Sequence, residues 1–408
     1  MHRLKAWPKW LKFCFFGALI IFWFSGLRFA YKQGNQAHFH TDQTTESMTI
    51  FASQHYLDHG FFKNYLLPTY PAFGHAPGGA LRTEPFVYHH YLAGPDLTLG
   101  LFLKVVGRAQ LWLGRMIPHT LTILAMAWLA IEFATLLKSP LMGGLMLGML
   151  FIPKALRAWS ICIYGHSYVM AFYLAMVAGL LALANRKSTP VKYACILGFL
   201  VGWLQMFFDL DWVPLTFLSA ASVVCLSTRI SPKHGRAVLM SMVLGGTLAV
   251  GYQFVVTSLY LGSAQKMISD TMEWMSFRTG THRVEGISQG DFRLHKVLHE
   301  YNRQAYGATG FTAWNLVALS AAFLVLGFVG KVRDKKQFLR GLAALVLTYL
   351  AAVFWNVFMR QHSVAHTHFL PRHYFVLYMF FALTALPIAY ALVLRARGCE
   401  KSVKIEQF

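Results

Sequence analysis

Long runs with no charged side chain recur through this chain and limit its fold more than any other feature. The last of them, "FVLYMFFALTALPIAYALVL" from Phe375 to Leu394, holds no Lys, Arg, Asp or Glu. About 20 apolar residues in a helix cross the roughly 30 Å of a bilayer's hydrocarbon. Across the 408 residues, 56% are hydrophobic and 13% charged, with a mean hydropathy of +0.46, so an ordinary soluble domain is excluded. The chain is predicted to be an all-α polytopic membrane protein.

The Lys and Arg residues fall mostly in short links, "NRKSTPVK", "STRISPKHGR", "KVRDKKQFLR" and the tail "RARGCEKSVK". That is the positive-inside pattern rather than a nucleic-acid surface, although the net charge is +21. With those links inside, about ten transmembrane helices follow, near 13–30, 117–137, 139–156, 167–184, 193–208, 212–228, 237–260, 310–330, 341–358 and 375–394. The first run has no small-residue cleavage site after it and reads as a retained helix. The whole of 1–408 reads as a single transmembrane domain, with external loops at 31–116 and 261–309. From Pro95 to Gly107 the chain is too short to span and is expected at the interface. The five cysteines show no paired spacing, so neither a disulfide frame nor a Cys metal site is expected.

The first loop carries the most telling carboxylate. In "HFHTDQTTESMTIFASQHYLDHG", Asp42 precedes a segment in which Met48, Phe51, Ala52 and Tyr56 recur at helical spacing, as in an amphipathic helix lying in the membrane surface. Asp42 is placed to cap that helix and also to act as a general base for an acceptor hydroxyl. Glu46, one turn on, is expected either to orient a substrate or to be solvated.

A first helix, an external acidic residue, an amphipathic helix, then "VYHHYLAGPDLTLGLFLKVVG" and "GRMIPHTLTILAMAWLAIEF" resemble the GT-C superfamily of polytopic glycosyltransferases. That superfamily includes protein O-mannosyltransferases and bacterial lipid A aminoarabinose transferases. The tract from Tyr88 to Gly107 is similar to its His/Tyr-Pro-rich stretch, and Arg115 with Pro118 to its Arg-x-x-Pro. The resemblance implies a catalytic role for Asp42 and a sugar moved, with inversion, from a polyprenyl-phosphate donor to a lipid, glycan or protein hydroxyl outside the membrane. A bacterial inner membrane with a periplasmic site is the expected setting. Two departures stand out: Gln43 where many members have a second acid, and "YGHSY" with His166 where many have an Asp after the third span.

A lipid-phosphate leaving group needs cations or donors in a water-poor site. The loop "RQHSVAHTHFLPRHY" supplies Arg360, His366, Arg372 and His373, with both arginines able to hold phosphate oxygens bidentately. Tyr88, His89 and His90 are expected to line an acceptor cleft. Arg and His in such links also serve as interfacial anchors. The patterns His362-x-x-x-His366-x-His368 and His38-x-His40-x-Asp42 keep a His-rich metal enzyme open as a rival, and Asp209 and Asp211 could add oxygens. No cofactor is required by the transferase reading, which admits a divalent metal. A transporter or flippase of a lipid-linked saccharide is the other alternative, disfavoured because the runs keep ionisable residues away from their centres.

Overall fold

The computed structural model describes residues 4, 7–36, 43–72, 83–90, 93–186, 188–279, 299, 302–303, 305–307, 309–359 and 373–397. Asp42, Arg360, His366 and Arg372, with His38, His40, His362 and His368, lie outside these residues. The described chain is almost entirely helical, and its one sheet is the antiparallel pair β1 (Thr69–Tyr70) and β2 (Phe86–Val87), with Thr69 opposite Val87.

Helix α1 (Lys9–Gln33) is followed by α2 (Gln43–His59) and α3 (Gly94–Val106). Then come α4 (Met116–Leu136), α5 (Pro140–Phe151), α6 (Lys154–Trp159), α7 (Gly165–Asn185), α8 (Val191–Phe208) and α9 (Val213–Leu226). The last are α10 (Pro232–Leu261), α11 (Ala264–Thr279), α12 (Ala313–Val329), α13 (Lys335–Phe358) and α14 (Phe375–Ala396). Seven helices are long and apolar enough to cross a membrane: α1, α4 with the turn before it, α7, α8, α10, α13 and α14. The apolar helices α5, α9 and α12 are shorter, at 12, 14 and 17 residues. These ten helices correspond one to one with the ten predicted spans.

The differences from expectation have local causes. The predicted span 139–156 is cut at Phe151, because Pro153 has no N–H to continue the ladder, and the chain restarts as α6. Helix α10 starts within the basic link, where Ser231 caps it and Pro232 takes its first position. The segment 94–106 is a 13-residue helix of about 20 Å, opened by Pro95 and ended at Gly107 with φ +95°, too short to span as expected. The loop predicted at 261–309 begins with α11 rather than as open chain.

Helix α7 lies at the centre, with Leu174, Val177, Ala178, Leu180 and Leu181 fully enclosed. Helix α1 lies at the edge and leaves Phe13, Ile21 and Phe24 exposed, as a lipid-facing helix does. Helices α8 and α10 approach at Gly198, Gly202 and Gly245, where a Cβ would collide with the carbonyls of Val238, Met242 and Phe199 respectively. Gly198 and Gly202 form the G-x-x-x-G spacing that lets two helices close on each other without a hydrophobic driving force in lipid.

The antiparallel order gives the bundle two ends. At one end α1, α5, α8, α10 and α13 finish, α4, α7, α9, α12 and α14 begin, and α2, α3 and α6 cover them. At the other lie Arg186, Lys192, Lys233, Lys331, Arg340 and Arg395.

Candidate functional site

The covered end holds ionisable groups that a lipid-embedded bundle would otherwise avoid. Glu46 is in the first turn of α2 and Arg115 immediately precedes α4, and both are buried. Arg115 Nη1 donates to Glu46 Oε1, Arg115 Nη2 to the Gln36 carbonyl, and the Ile163 N–H to the same Glu46 oxygen at 3.1 Å. One buried pair thereby ties the end of α1, the start of α2, the start of α4 and the turn before α7. Glu46, expected to meet a substrate or water, is 1% exposed, and the geometry makes it a strut. The buried face of α2 is likewise turned from expectation. Glu46, Thr49, Ala52, Ser53 and Tyr56 are enclosed against α3 and β1, so the face packs on protein rather than sinking into a lipid interface.

A second pair stands where α7 meets the end of α8. Gly165 and Gly94 have no side chain to obstruct the carbonyls of Phe208 and Phe207, which brings α7, α3 and the chain leaving α8 together. There His166 Nδ1 pairs with Asp209 Oδ2, both buried. Tyr164 and Trp159 stand edge-on to the His166 ring at 4.4 and 5.4 Å. The turn after Asp209 carries Trp212, 6.3 Å and edge-on from His373. His373 opens the last helix as predicted, but at 1% exposure it backs the site from within rather than presenting a donor to a phosphate.

Asp96, in the first turn of α3, is a third buried carboxyl, and the Tyr70 hydroxyl donates to it at 3.4 Å. Burial raises its pKa to about 7, against the opposing pull of that hydrogen bond. Burial, reinforced by the nearby carboxylate, raises Tyr70 and Tyr56 above their ordinary value.

Tyr88, His89 and His90 follow β2, and the structure joins them to α11 rather than to the two pairs above. His89 Nε2 lies 2.9 Å and His90 Nδ1 3.5 Å from Asp270 Oδ2. Tyr88 stands edge-on to His90 at 5.3 Å. Burial pushes the Asp270 carboxyl up, but the His89 hydrogen bond and the charges of both imidazoles outweigh it and hold the group below its usual range.

A cavity of about 830 Å³ opens between α1, the start of α4, the end of α5 and α6. Its walls include Ile21, Phe22, Phe29, Phe151 and Ile161, and Lys154 and Arg157 stand on its rim. His119 also lines it, held by Ser160 Oγ at 3.0 Å and the Phe22 carbonyl at 3.2 Å. Both rim cations are exposed. Apolar walls with two cations beside them match the chemistry of an apolar chain that carries an anionic head.

Asp96, Asp270, Lys154 and Arg157 were not singled out by the sequence reading. Asp96 is hidden in a helix-start pattern, and Asp270 lies 181 residues beyond His89. Lys154 read as part of the span 139–156 until Pro153 ends it, and Arg157 fell just beyond that span. Asp209 was noticed as an oxygen donor to a metal, and in the structure it pairs with His166.

No protein-family model matches the chain, and no curated protein matches it significantly. Among solved structures it is similar to the crystal structure of the Archaeoglobus fulgidus oligosaccharyltransferase in the apo form, with a TM-score of 0.48 and 13% identity. The match covers 96% of this chain and 52% of that one, so the chain spans about half that protein's length.

Proposed function

We propose that this membrane protein is a GT-C-type glycosyltransferase that moves a sugar from a polyprenyl-phosphate donor to a hydroxyl acceptor at the covered end of the bundle. The observation that carries the reading is the apolar slot whose lining includes the exposed cations Lys154 and Arg157. A prenyl chain fits its walls and a phosphate its rim. With the basic links inside, this end faces the periplasm or its equivalent.

The reaction proposed combines this slot with Asp42, the base that the sequence resemblance implies. The acceptor oxygen attacks the anomeric carbon from the side opposite the phosphate, Asp42 takes the hydroxyl proton, and the carbon–oxygen bond to the lipid phosphate breaks. Charge builds on the departing phosphate oxygen, where Lys154 and Arg157 neutralise it in a water-poor setting. Arg360, His366 and Arg372, which lie outside the described residues, are assigned as further partners of the phosphate by their chemistry alone. The Glu46–Arg115 strut ties the start of α2 to the start of α4.

The test is transfer of labelled sugar from polyprenyl-phosphate donors to membrane lipid and glycan fractions by the purified full chain, beside Asp42→Asn at equal expression. Transfer that falls by about 10²-fold or more in the variant, with unchanged thermal unfolding, supports the reading. Equal transfer by both leaves Asp42 as a helix cap, and no transfer from any such donor removes the function.

A further inference from the structure

The group formed by His89, His90 and Asp270 has no part in the reaction above. We infer that these three side chains bind a divalent transition metal, zinc by ligand chemistry, that clips the first loop to α11. His89 Nε2, His90 Nδ1 and an Asp270 oxygen all lie within 4.8 Å of one another. The His90–Asp270 separation of 3.5 Å is close to the roughly 3.3 Å between ligands of a tetrahedral zinc with bonds of about 2.0–2.1 Å. The His89–Asp270 contact of 2.9 Å needs to open by only a few tenths of an ångström.

The surroundings fit a built site. Gln253 Nε2 and Thr257 Oγ1, both on α10, donate to the His89 carbonyl and fix the backbone that carries the ligand. Trp274, one turn beyond Asp270, stacks on the His90 ring at 5.2 Å with planes 6° apart. Two imidazoles and one carboxylate are borderline ligands that suit zinc better than calcium or magnesium, which prefer all-oxygen shells. The side chains are 17%, 19% and 35% exposed, which leaves the fourth position to water.

The site joins segments about 180 residues apart, so the metal would act as a cross-link whose loss frees α11 from the strand region. The test uses the full chain in detergent, purified without a histidine tag and stripped of metal, with zinc as the probe for calorimetry and cobalt for its visible spectrum. One equivalent of zinc is expected, with the strong d–d bands of tetrahedral cobalt and a raised melting temperature. Affinity should fall at least 10-fold in His89→Ala and in Asp270→Asn, while His90→Cys, which keeps a zinc ligand, retains binding. Metal-free variants should melt with the metal-free parent, which separates lost ligation from lost fold. Absence of stoichiometric zinc overturns the proposal, as does undiminished binding in both His89→Ala and Asp270→Asn, which would place the metal in the His362–His368 segment.

Discussion

The two ends of the bundle handle charge in opposite ways. At the covered end, Glu46 meets Arg115, His166 meets Asp209, and Asp96 accepts from Tyr70, each pair buried and each joining elements far apart in sequence. At the basic end, cations rest on helix carbonyls. Arg340 donates to the carbonyls of Cys225 and Ser227, both at 2.8 Å, and Arg395 donates to that of Gly330. Arg333 goes further: it is 3% exposed, packed beside Gly327 and Gly341, with no hydrogen bond to its guanidinium among the described residues. Burial lowers its pKa to about 10. A helix C-terminus carries partial negative charge and tolerates a cation generically, whereas a buried carboxylate needs one specific partner. Near the basic end Glu132 is also buried, but it accepts from the neutral Asn185 amide at 2.8 Å, whereas the buried ion pairs among the described residues lie at the covered end and mark where a geometry is fixed by paired charge.

The sharpest break of this contrast is Arg115→Met. Removing one partner of a buried pair strands the other charge, and a loss of about 3–5 kcal/mol is expected. The double variant Glu46→Gln/Arg115→Met should recover much of it, and thermal unfolding in detergent reads both. If the single and double variants melt alike, the pair is not the strut described.

The pH response of Asp96 comes next. Its folded pKa of about 7 stands above the unfolded value of about 3.9, so the neutral carboxyl favours the fold. That contribution is fully present below the unfolded pKa and is lost as pH rises through the folded one. Asp96→Asn, which keeps the neutral shape, should therefore gain melting temperature over the parent at pH 8 and show a smaller gain at pH 5. A constant difference at both values would mean that the group is not titrating in the fold.

At the basic end the sign should reverse. Arg333→Met removes a buried charge that has no partner among the described residues and keeps much of the volume, so a gain of about 1–2 kcal/mol is expected. A loss comparable to that of Arg115→Met would show that the two ends do not differ in the way drawn here.

The sequence made the bundle legible because span length and charge placement are local: the basic links fall between helices as predicted, and Gly107 ends α3 where expected. The site was legible only in part. His166 and His373 were placed at the right end because they flank apolar runs, yet their burial depends on Trp159, Tyr164 and Trp212, which no spacing connects to them. Glu46 was noticed for its charge, but its partner Arg115 lies 69 residues on and donates from Nη1 to Oε1, a contact that hydropathy does not encode. Asp270 was lost within a loop reading, Lys154 within a span reading, and Arg157 in the short link after that span. The local pattern fixed the helices, while long-range packing decided which polar side chains are enclosed.

The smallest effect is expected at the rim of the slot, where it also separates binding from fold. Lys154 and Arg157 are exposed, so Lys154→Ala and Arg157→Ala should leave the melting temperature unchanged. If they hold the donor phosphate, each loses a charge-assisted hydrogen bond worth about 1.5–3 kcal/mol, or roughly 10-fold and upward in donor affinity. Contacts made equally before and during bond breaking raise KM and leave kcat alone, whereas contacts that strengthen as the phosphate leaves lower kcat as well. The mechanism places both cations on the leaving group, so kcat should fall with donor affinity, and the fall should be larger for Arg157, whose fork can follow two phosphate oxygens. A rise in KM alone would keep the slot as the donor site but assign the departing charge to Arg360 and Arg372. No change in either constant would remove the slot from the reaction and leave it as a groove filled by membrane lipid.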